Sequence, residues 1–500
     1  MSEEKVIIIG AGLAGLATGI YARMNGYQAC IFEHANQPGG VSATYKRKEF
    51  TIDAGIHFYM GYRPGQTVNR LYRELGVYQA EQYSPMDLYA RFLDPISGRT
   101  LDLTRDLDRF AADLKAISPT DADFIDRFII AASAFKGADL MAPLVKPPDL
   151  MHFWDTARVI LSMRKTFKYY TGRYNLPMNK ATQELSNPWL RDVFERIFLP
   201  DVPVWFVLFL LGMLADGNMA LRLDGSAGFA RALEKRFGDL GGQITYNATV
   251  NEVIVDHDRA TGVRLADGKS LYADRVVSAA DGYSTIFELL KGRYVKGDIQ
   301  TRYNDWPLFN PVVMVSFGVA RKFADDPWMV IIKSSREITA GFLIDKWLPV
   351  RIFNYSPNFA PKGKTVVQVM MESTWQPWSD LRENRKAYKS EKNRLANQVL
   401  KSLADIWPGL DRQVEVTDVS TPYTFWRYTL NRRGAYEGFA ITPDAIKAKI
   451  YRSLPRLRNF YMAGQWTSPG GGVVPTLMTG KHAAMLLCRQ DSKPFRTTTC

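Results

Sequence analysis

The chain contains only three cysteines in 500 residues, Cys30, Cys488 and Cys500, and they show neither a CxxC spacing nor any clustering. This scarcity argues against a disulfide framework and against a cysteine-ligated zinc site, and it fits a reducing compartment. The histidines also lack any metal-ligand spacing, so we predict no metal site. The first residues lead straight into a strand, and we predict no secretory signal.

Long hydrophobic runs are missing as well. The uncharged run 202–214 has about 13 residues, whereas a membrane-spanning helix needs roughly 20. The run therefore does not predict a transmembrane helix. It is compatible with a core helix, with a patch that lies on a membrane surface, and with the wall of a lipid tunnel.

Acidic residues are in the minority, which gives a formal net charge of +13. A basic protein can bind nucleic acid, an anionic membrane or an acidic substrate. The same charge is equally compatible with a basic surface that is only solvated and binds no partner. The basic residues are spread over many segments, and no nucleic-acid-binding motif accompanies them. We therefore expect no nucleic-acid partner.

The most informative segment is a glycine-rich turn at the N-terminus. Residues 5–9 form an apolar, β-branched run typical of a buried parallel strand, a helix is expected over 13–26, and residues 29–33 predict a second strand. The turn between the first strand and the helix reads G-x-G-x-x-G, and its predicted nucleotide-binding residues are Gly10, Gly12, Leu13, Ala14 and Gly15. This strand–turn–helix–strand setting predicts a dinucleotide site.

Each part of this motif has a physical task. Gly10 allows the tight turn, Gly12 lets the backbone approach a pyrophosphate, and Gly15 lets the helix pack closely on the strand. The helix N-terminus offers unpaired N–H groups to the phosphates. Glu33, at the end of the second strand, would accept hydrogen bonds from the ribose hydroxyls and disfavours the 2′-phosphate of NADP.

Two further glycine blocks favour FAD over NAD. The first comprises Gly39 and Gly40, followed by Val41 and Ser42. The second lies near the C-terminus, where a helix is expected after bare backbone, and its predicted contacts are Gly464, Gln465, Gly472, Val473 and Val474. A nucleotide held by both ends of the chain suits a cofactor as long as FAD. No cysteine lies near these blocks, so we expect noncovalent binding.

The remaining pattern mixes strands and helices. We predict a hairpin over 45–53, mostly helices over 107–225, a strand meander over 241–281, strands at 312–319, 365–371 and 460–463, and helices at 380–403 and 479–487.

The chain resembles the phytoene desaturase, carotenoid isomerase and retinol saturase-like branch of the FAD-dependent amine oxidase superfamily. The resemblance is specific in three blocks, residues 6–61, 225–281 and 460–487. Residues 53–58, DAGIHF, are similar to the D-x-G-I-H-Y pattern of retinol saturase-like members. The superfamily often has an arginine where this chain has Val41. The resemblance adds Gly55, Ile56, Val250 and Asp281 to the expected FAD contacts.

The resemblance implies an α/β fold with a discontinuous Rossmann-type FAD-binding domain of the glutathione reductase-like class, at residues 1–75, 226–290 and 455–490. It implies a mixed-sheet substrate domain at 76–106 and 291–454, and a helical subdomain at 107–225. It also implies a long apolar polyene or isoprenoid substrate. We expect the protein to be cytoplasmic and peripheral on the cytoplasmic face of a membrane, docked through residues 163–174 and 203–214.

The leading function is FAD-dependent desaturation, saturation or isomerisation of a hydrophobic polyene. His57 is the best catalytic candidate, because the family's chain runs close to the flavin there, and its alternative is a structural histidine. Two rival functions remain open. One is oxidation of an amine or amino acid, and the other is flavin-independent binding of prenyl groups, as in Rab GDP-dissociation inhibitors. The substrate, redox direction, electron acceptor and oligomeric state stay open.

Overall fold

A parallel five-stranded sheet carries the N-terminal motif. The computed structural model describes residues 4–139, 141–442, 444–445 and 448–498. The strands lie in the order Gln243–Thr245, Gln28–Phe32, Lys5–Ile9, Arg275–Ser278 and Phe460–Met462, and all neighbours are parallel. The predicted Rossmann-type α/β fold is therefore confirmed, although the expected strand at 460–463 ends one residue earlier.

The central strand is apolar on both sides because both faces of the sheet are covered. Val6 and Ile8 pack with the helices Leu13–Met24, Gly225–Asp239 and Val473–Gln490. Ile7 and Ile9 point the other way and pack with a three-stranded antiparallel sheet, Val250–Asp256, Arg259–Leu265 and Ser270–Tyr272. The predicted meander over 241–281 is thus wrong at both ends, since its first and last strands join the parallel sheet.

The second large sheet is a mixed sheet of seven strands. Its order is Val414–Ser420, Val312–Val319, Thr365–Glu372, Leu343–Ile352, Met329–Ala340, Leu88–Asp94 and Arg99–Thr104. Only the pair Met329–Ala340 and Leu88–Asp94 is parallel. The helix Arg385–Ile406 packs on this sheet through Leu395, Val399 and Leu403. It begins later than predicted, because Asn384 caps it and a separate helix Trp375–Leu381 precedes it.

The part of the chain that follows the strand Arg99–Thr104, up to Ala215, is mainly helical. Its α-helices are Leu107–Ile117, Ala122–Ser133, Phe153–Ser162, Met178–Ala181, Pro188–Glu195 and Val204–Ala215. Other helices are Thr67–Glu74, Gly297–Asp305, Pro422–Thr429 and the π-helix Ser284–Leu289. The region predicted as helical also holds a strand, Met219–Arg222, which pairs with Tyr59–Met60 and Tyr83–Pro85. The hairpin Thr44–Arg47 and Phe50–Asp53 is confirmed.

The five-stranded and seven-stranded sheets fall within the expected segments of the chain, whereas the small sheet of Tyr59–Met60, Tyr83–Pro85 and Met219–Arg222 joins all three segments. The domain boundaries themselves stay a prediction. The C-terminal helix begins at Val473, six residues before the predicted start, because the valine–proline segment after the glycines is already helical. None of the helices in the part of the chain that the structure describes is long and apolar enough to cross a membrane.

Candidate active site

A cavity of about 1610 Å³ lies where the parallel sheet meets the seven-stranded sheet. Typical ligand pockets have about 300–1,000 Å³, so this cavity has room for more than one drug-sized ligand. Of the predicted cofactor contacts, all but Gly15 and Gly55 line it. The predicted contacts therefore meet in the wall of one continuous cavity, and their contacts with a cofactor stay a prediction.

The glycine turn leaves open space where a pyrophosphate would lie. A Cβ atom on Gly12 would meet no protein atom within 4 Å, although its φ of −67° is ordinary. A Cβ on Gly15 would lie 1.9 Å from the Gly10 carbonyl oxygen, which explains why the helix and strand can pack only with glycine there. Gly12 begins the helix Leu13–Met24 without a side-chain cap, so its N-terminal N–H groups are available to an anion.

Glu33 is nearly buried, at 7% exposure, beside this turn. Its carboxylate accepts hydrogen bonds from the backbone N–H groups of Ala11 (2.6 Å) and Ala35 (2.7 Å). Burial raises its pKa, and the backbone hydrogen bonds oppose that rise. Glu33 therefore stabilises the turn and also lines the cavity, while its contact with a ribose stays a prediction.

The second glycine block packs directly on the first. The Gly39 N–H donates to the Ala11 carbonyl oxygen (2.9 Å), and a Cβ on Gly40 would lie 3.4 Å from the Cα of Gly12. Both glycines have positive φ, 112° and 59°. Val41 and Ser42 line the cavity beside them, so at the position of the expected arginine the wall is apolar.

One end of the cavity lies at the antiparallel sheet. There His34 Nδ1 is 2.8 Å from Thr249 Oγ1, and Val250 lies next to them in the wall. Asp281 is fully buried, accepts from the N–H groups of Ser284 (2.7 Å) and Arg432 (2.9 Å), and burial raises its pKa to about 6. Sequence reasoning gave His34 no role, and its place in the wall follows from the pairing of distant strands.

The chain after the hairpin strand Phe50–Asp53 is held beside the cavity by a set of hydrogen bonds, here called the frame. Asp53 accepts from the N–H groups of Gly55 (2.9 Å) and Ser226 (2.8 Å), which assigns it a structural role. The Tyr436 hydroxyl donates to the Gly55 carbonyl oxygen at 2.7 Å. Gly55 thus belongs to this hydrogen-bonded frame without lining the cavity, whereas Ile56 lines it.

His57 lines the cavity, and its Nε2 atom is buried without a hydrogen-bond partner among the described residues. Burial, together with the nearby Arg351 guanidinium, holds the pKa of His57 well below its usual range. The imidazole is therefore neutral at physiological pH. It can polarise a ligand through an N–H group, but it does not carry a positive charge.

Another part of the wall is formed by the segment around Gly464, the start of the C-terminal helix and two residues that sequence reasoning missed, Arg351 and Glu437. Gly464 N–H donates to Thr479 Oγ1 (2.7 Å), and Gln465 Nε2 donates to the Tyr436 carbonyl oxygen (3.4 Å). Arg351 is 2% exposed and donates to Gln368 and to the Ile56 carbonyl oxygen. Glu437 accepts from the Gly472 N–H at 3.0 Å. No local signal indicated Arg351, because its partner Ile56 is 295 residues away in sequence.

The other half of the cavity is mainly apolar, although Glu195, Arg196, Asp345 and Glu372 also line it. Its apolar wall is built by the helix Val204–Ala215, the loop before that helix and the seven-stranded sheet, through Phe198, Leu199, Trp205, Phe206, Phe209, Met329, Ile331 and Trp347. Nine residues of that helix are buried. The expectation that residues 203–214 form a membrane-docking surface is therefore wrong, and the run is both core and cavity wall.

A parallel nucleotide-binding sheet, bare glycines in the wall of a cavity and a second helix N-terminus in the same wall define an FAD-dependent oxidoreductase. FAD fits the residues present, since Gly12 and Gly472 each begin a helix in the cavity wall and neither carries a Cβ that would block an approaching group. Neither Cys30 nor Cys488 lines the cavity, which is consistent with noncovalent binding.

Comparison with known proteins places the chain in a family. It matches the family model described as flavin containing amine oxidoreductase over residues 13–488, and it belongs to that family. It is 22% identical to the chloroplastic prolycopene isomerase of Daucus carota, over 96% of this chain and 79% of that protein. It is 25% identical to the neurosporene-forming phytoene desaturase of Rhodobacter capsulatus, over 97% of this chain and 94% of that protein. It shares the fold of cyclohexylamine oxidase from Brevibacterium oxydans, with a TM-score of 0.60, 14% identity and coverage of 97% and 99%.

Proposed function

We propose that the protein catalyses FAD-dependent desaturation, saturation or isomerisation of C–C and C=C bonds in a long hydrophobic polyene. The observation that carries this proposal is the apolar half of the cavity, which is continuous with the nucleotide site. A polyene has no polar groups that need partners, and aromatic and aliphatic walls stabilise it by removing its surface from water. The relatives that act on prolycopene and phytoene support the same substrate class.

The residues of the chain then have distinct tasks. FAD, when bound, accepts or donates a hydride at its reactive nitrogen. Trp205, Phe206 and Phe209 hold the polyene and exclude water from the junction of the two halves. The neutral His57 and the frame built on Gly55 orient the reacting bond at that junction.

A substrate test separates this proposal from its rivals. Purified holoprotein is mixed anaerobically with phytoene or prolycopene in detergent micelles, and flavin absorbance and product isomers are followed. Phe206→Arg should abolish product formation and retain the flavin spectrum, because a charged side chain blocks only the apolar half. Ile96→Arg is the matched control, since Ile96 is 70% exposed and lies outside the cavity wall. Equal activity in both variants would contradict the proposal.

The amine oxidase alternative requires a small polar pocket with an arginine free to bind a carboxylate. Arg351 does line the cavity, but its terminal nitrogens donate to Gln368 and to the Ile56 carbonyl oxygen. Hydrogen peroxide release with amines, without any reaction of polyenes, would establish this alternative instead. The prenyl-binding alternative predicts a colourless protein that does not take up added FAD.

Attachment to the cytoplasmic face of an anionic membrane is the second part of the proposal. The helix Phe153–Ser162 has no buried residue. Five apolar side chains on or next to it, here called the 153–167 patch, are more than half exposed: Phe153, Trp154, Ile160, Leu161 and Phe167. Arg164 and Lys165 lie within the same segment, Lys168 follows it directly, and Met163 and Tyr170 line the cavity. This combination suits a surface that receives substrate from a bilayer.

Liposome flotation tests this attachment. The wild-type protein should float with vesicles that contain anionic lipid at low salt, and the double variant Phe153→Ser, Trp154→Ser should float much less. The control is Phe342→Ser, because Phe342 is similarly exposed, at 70%, but lies in the turn between the strands Met329–Ala340 and Leu343–Ile352. A wild-type protein that stays at the bottom of the gradient would remove the idea.

A further inference from the structure

Glu437 is an acidic side chain in the cavity wall that the proposed chemistry does not use. Its Oε2 atom accepts a hydrogen bond from the backbone N–H of Gly472, the residue that begins the helix Val473–Gln490. A Cβ on Gly471 would lie 1.9 Å from the same oxygen, so the carboxyl group fits there only because Gly471 has no side chain. The glycines at this helix end therefore accommodate a carboxyl group of the chain itself.

The same N–H groups are the anion-binding donors expected to receive one end of FAD. A helix N-terminus stabilises negative charge within its first turn, whichever group brings that charge. Two negative groups that share one N-terminus repel each other, and the pair lowers its free energy when one of them binds a proton. Reduction of a flavin by a hydride adds one negative charge to it.

We propose that Glu437 is a proton-binding residue of the flavin site, which takes up one proton from water when the bound FAD is reduced. The balance is simple: the reductant supplies a hydride equivalent, two electrons and one proton, to the cofactor. The Glu437 carboxylate then binds a second proton and becomes a neutral acid. The net charge at the helix N-terminus is unchanged by the reaction.

The surroundings of Glu437 support this assignment. Burial raises its pKa to about 7, and the Gly472 hydrogen bond only partly opposes that rise. The titratable residue next to Glu437 in the chain is Tyr436. The pKa of Tyr436 is in turn affected by Arg351, on the strand Leu343–Ile352, and by Asp53, on the strand Phe50–Asp53. The C-terminal helix and the segment Gln465–Thr467 present backbone groups and the Gln465 amide. A negative charge added nearby raises the pKa further, so the extra proton is bound above pH 7.

Potentiometric titration of the holoprotein with dithionite, without substrate, tests the proposal. Each proton taken up per two electrons shifts the midpoint potential by about 30 mV per pH unit. Just above pH 7 the wild type should show roughly 60 mV per pH unit, for two protons, and Glu437→Gln about 30 mV. Glu372→Gln is the control that should keep the wild-type slope. Glu372 is also a cavity-lining acid with a raised pKa, but it bonds the Asn310 side chain.

Equal slopes for the wild type and Glu437→Gln would overturn the proposal, as would a wild-type slope near 30 mV between pH 7 and 8. If Glu437→Gln does not retain FAD, proton uptake by the reduced wild type decides the question. More than one proton per two electrons at pH 7.5 supports the proposal, and one proton refutes it. The proposal rests on FAD binding and not on the polyene. Failure of the proton-uptake test would therefore leave the proposed substrate class unaffected, and failure of the substrate test would leave the role of Glu437 unaffected.

Discussion

The substitution Gly12→Ala separates the cofactor site from the fold. The new methyl group would contact no protein atom within 4 Å, and the φ of −67° suits any residue. Alanine restricts the unfolded chain, which stabilises by about 0.4–1 kcal/mol. It is also a poorer helix N-cap than glycine, which costs about 0.5–1 kcal/mol. These effects nearly cancel, so the apoprotein should melt within about 4 °C of the wild type.

FAD binding should respond quite differently. The methyl group points into the space predicted for the pyrophosphate and keeps the phosphate away from the helix N-terminus. Loss of one charge-assisted hydrogen bond costs about 1.5–3 kcal/mol, which weakens FAD binding about 10- to 100-fold. Flavin fluorescence quenching measures this affinity, and differential scanning fluorimetry measures melting with and without FAD.

The matched control is Gly238→Ala. A Cβ on Gly238 also meets no atom within 4 Å, but this residue lies in the helix Gly225–Asp239 and outside the cavity wall. It should leave FAD affinity unchanged and stabilise the helix by up to about 1 kcal/mol. The reasoning would be refuted by unaltered FAD affinity in Gly12→Ala, or by an apoprotein that melts more than 10 °C lower.

Three further outcomes follow from the same geometry. Gly15→Ala should lower the melting temperature of the apoprotein itself, because its Cβ would lie 1.9 Å from a carbonyl oxygen; wild-type-like melting would contradict the packing. Glu33→Ala should reduce both FAD affinity and apoprotein stability, since the carboxylate holds two backbone N–H groups, and a loss confined to the holoprotein would show that these bonds contribute little. The rate of flavin reduction by a polyene should show no His57 titration between pH 5 and 8, because the pKa of His57 lies well below its usual range. A rate that changes around pH 6.5 in the wild type and not in His57→Gln would refute this.

The nucleotide half of the site could be predicted because its signals are local. A glycine turn between a β-branched strand and a helix specifies backbone geometry within a few residues, and the strand Lys5–Ile9 has the predicted bounds. The meander was harder, because strands of similar composition join different sheets. The strands Gln243–Thr245 and Arg275–Ser278 pair with Gln28–Phe32 and Lys5–Ile9, and nothing within 241–281 encodes those partners.

The polar residues around His57 could not be predicted for the same reason. Arg351 and Tyr436 reach the cavity through hydrogen bonds to partners hundreds of residues away, and Glu437 through a hydrogen bond to Gly472, 35 residues further on. In sequence they look like ordinary polar residues, because burial and neighbouring charge determine their chemistry. His57 stood out only through the resemblance, and its pKa is lowered first by burial and then by Arg351, neither of which the resemblance indicated.

The apolar run 202–214 shows why composition alone left three interpretations open. Burial of its interior face requires apolar residues, as in any core helix, and Gly212 allows a close approach to Phe135, since a Cβ there would lie 2.5 Å from the Phe135 Cβ. Trp205 and Phe206 are only partly buried, because the cavity lies on that side. A helix that must be apolar toward both its core and its ligand has no polar face, so its sequence cannot reveal which side binds. The partly buried aromatics at its N-terminal turn are therefore the residues whose replacement would distinguish a substrate wall from a core.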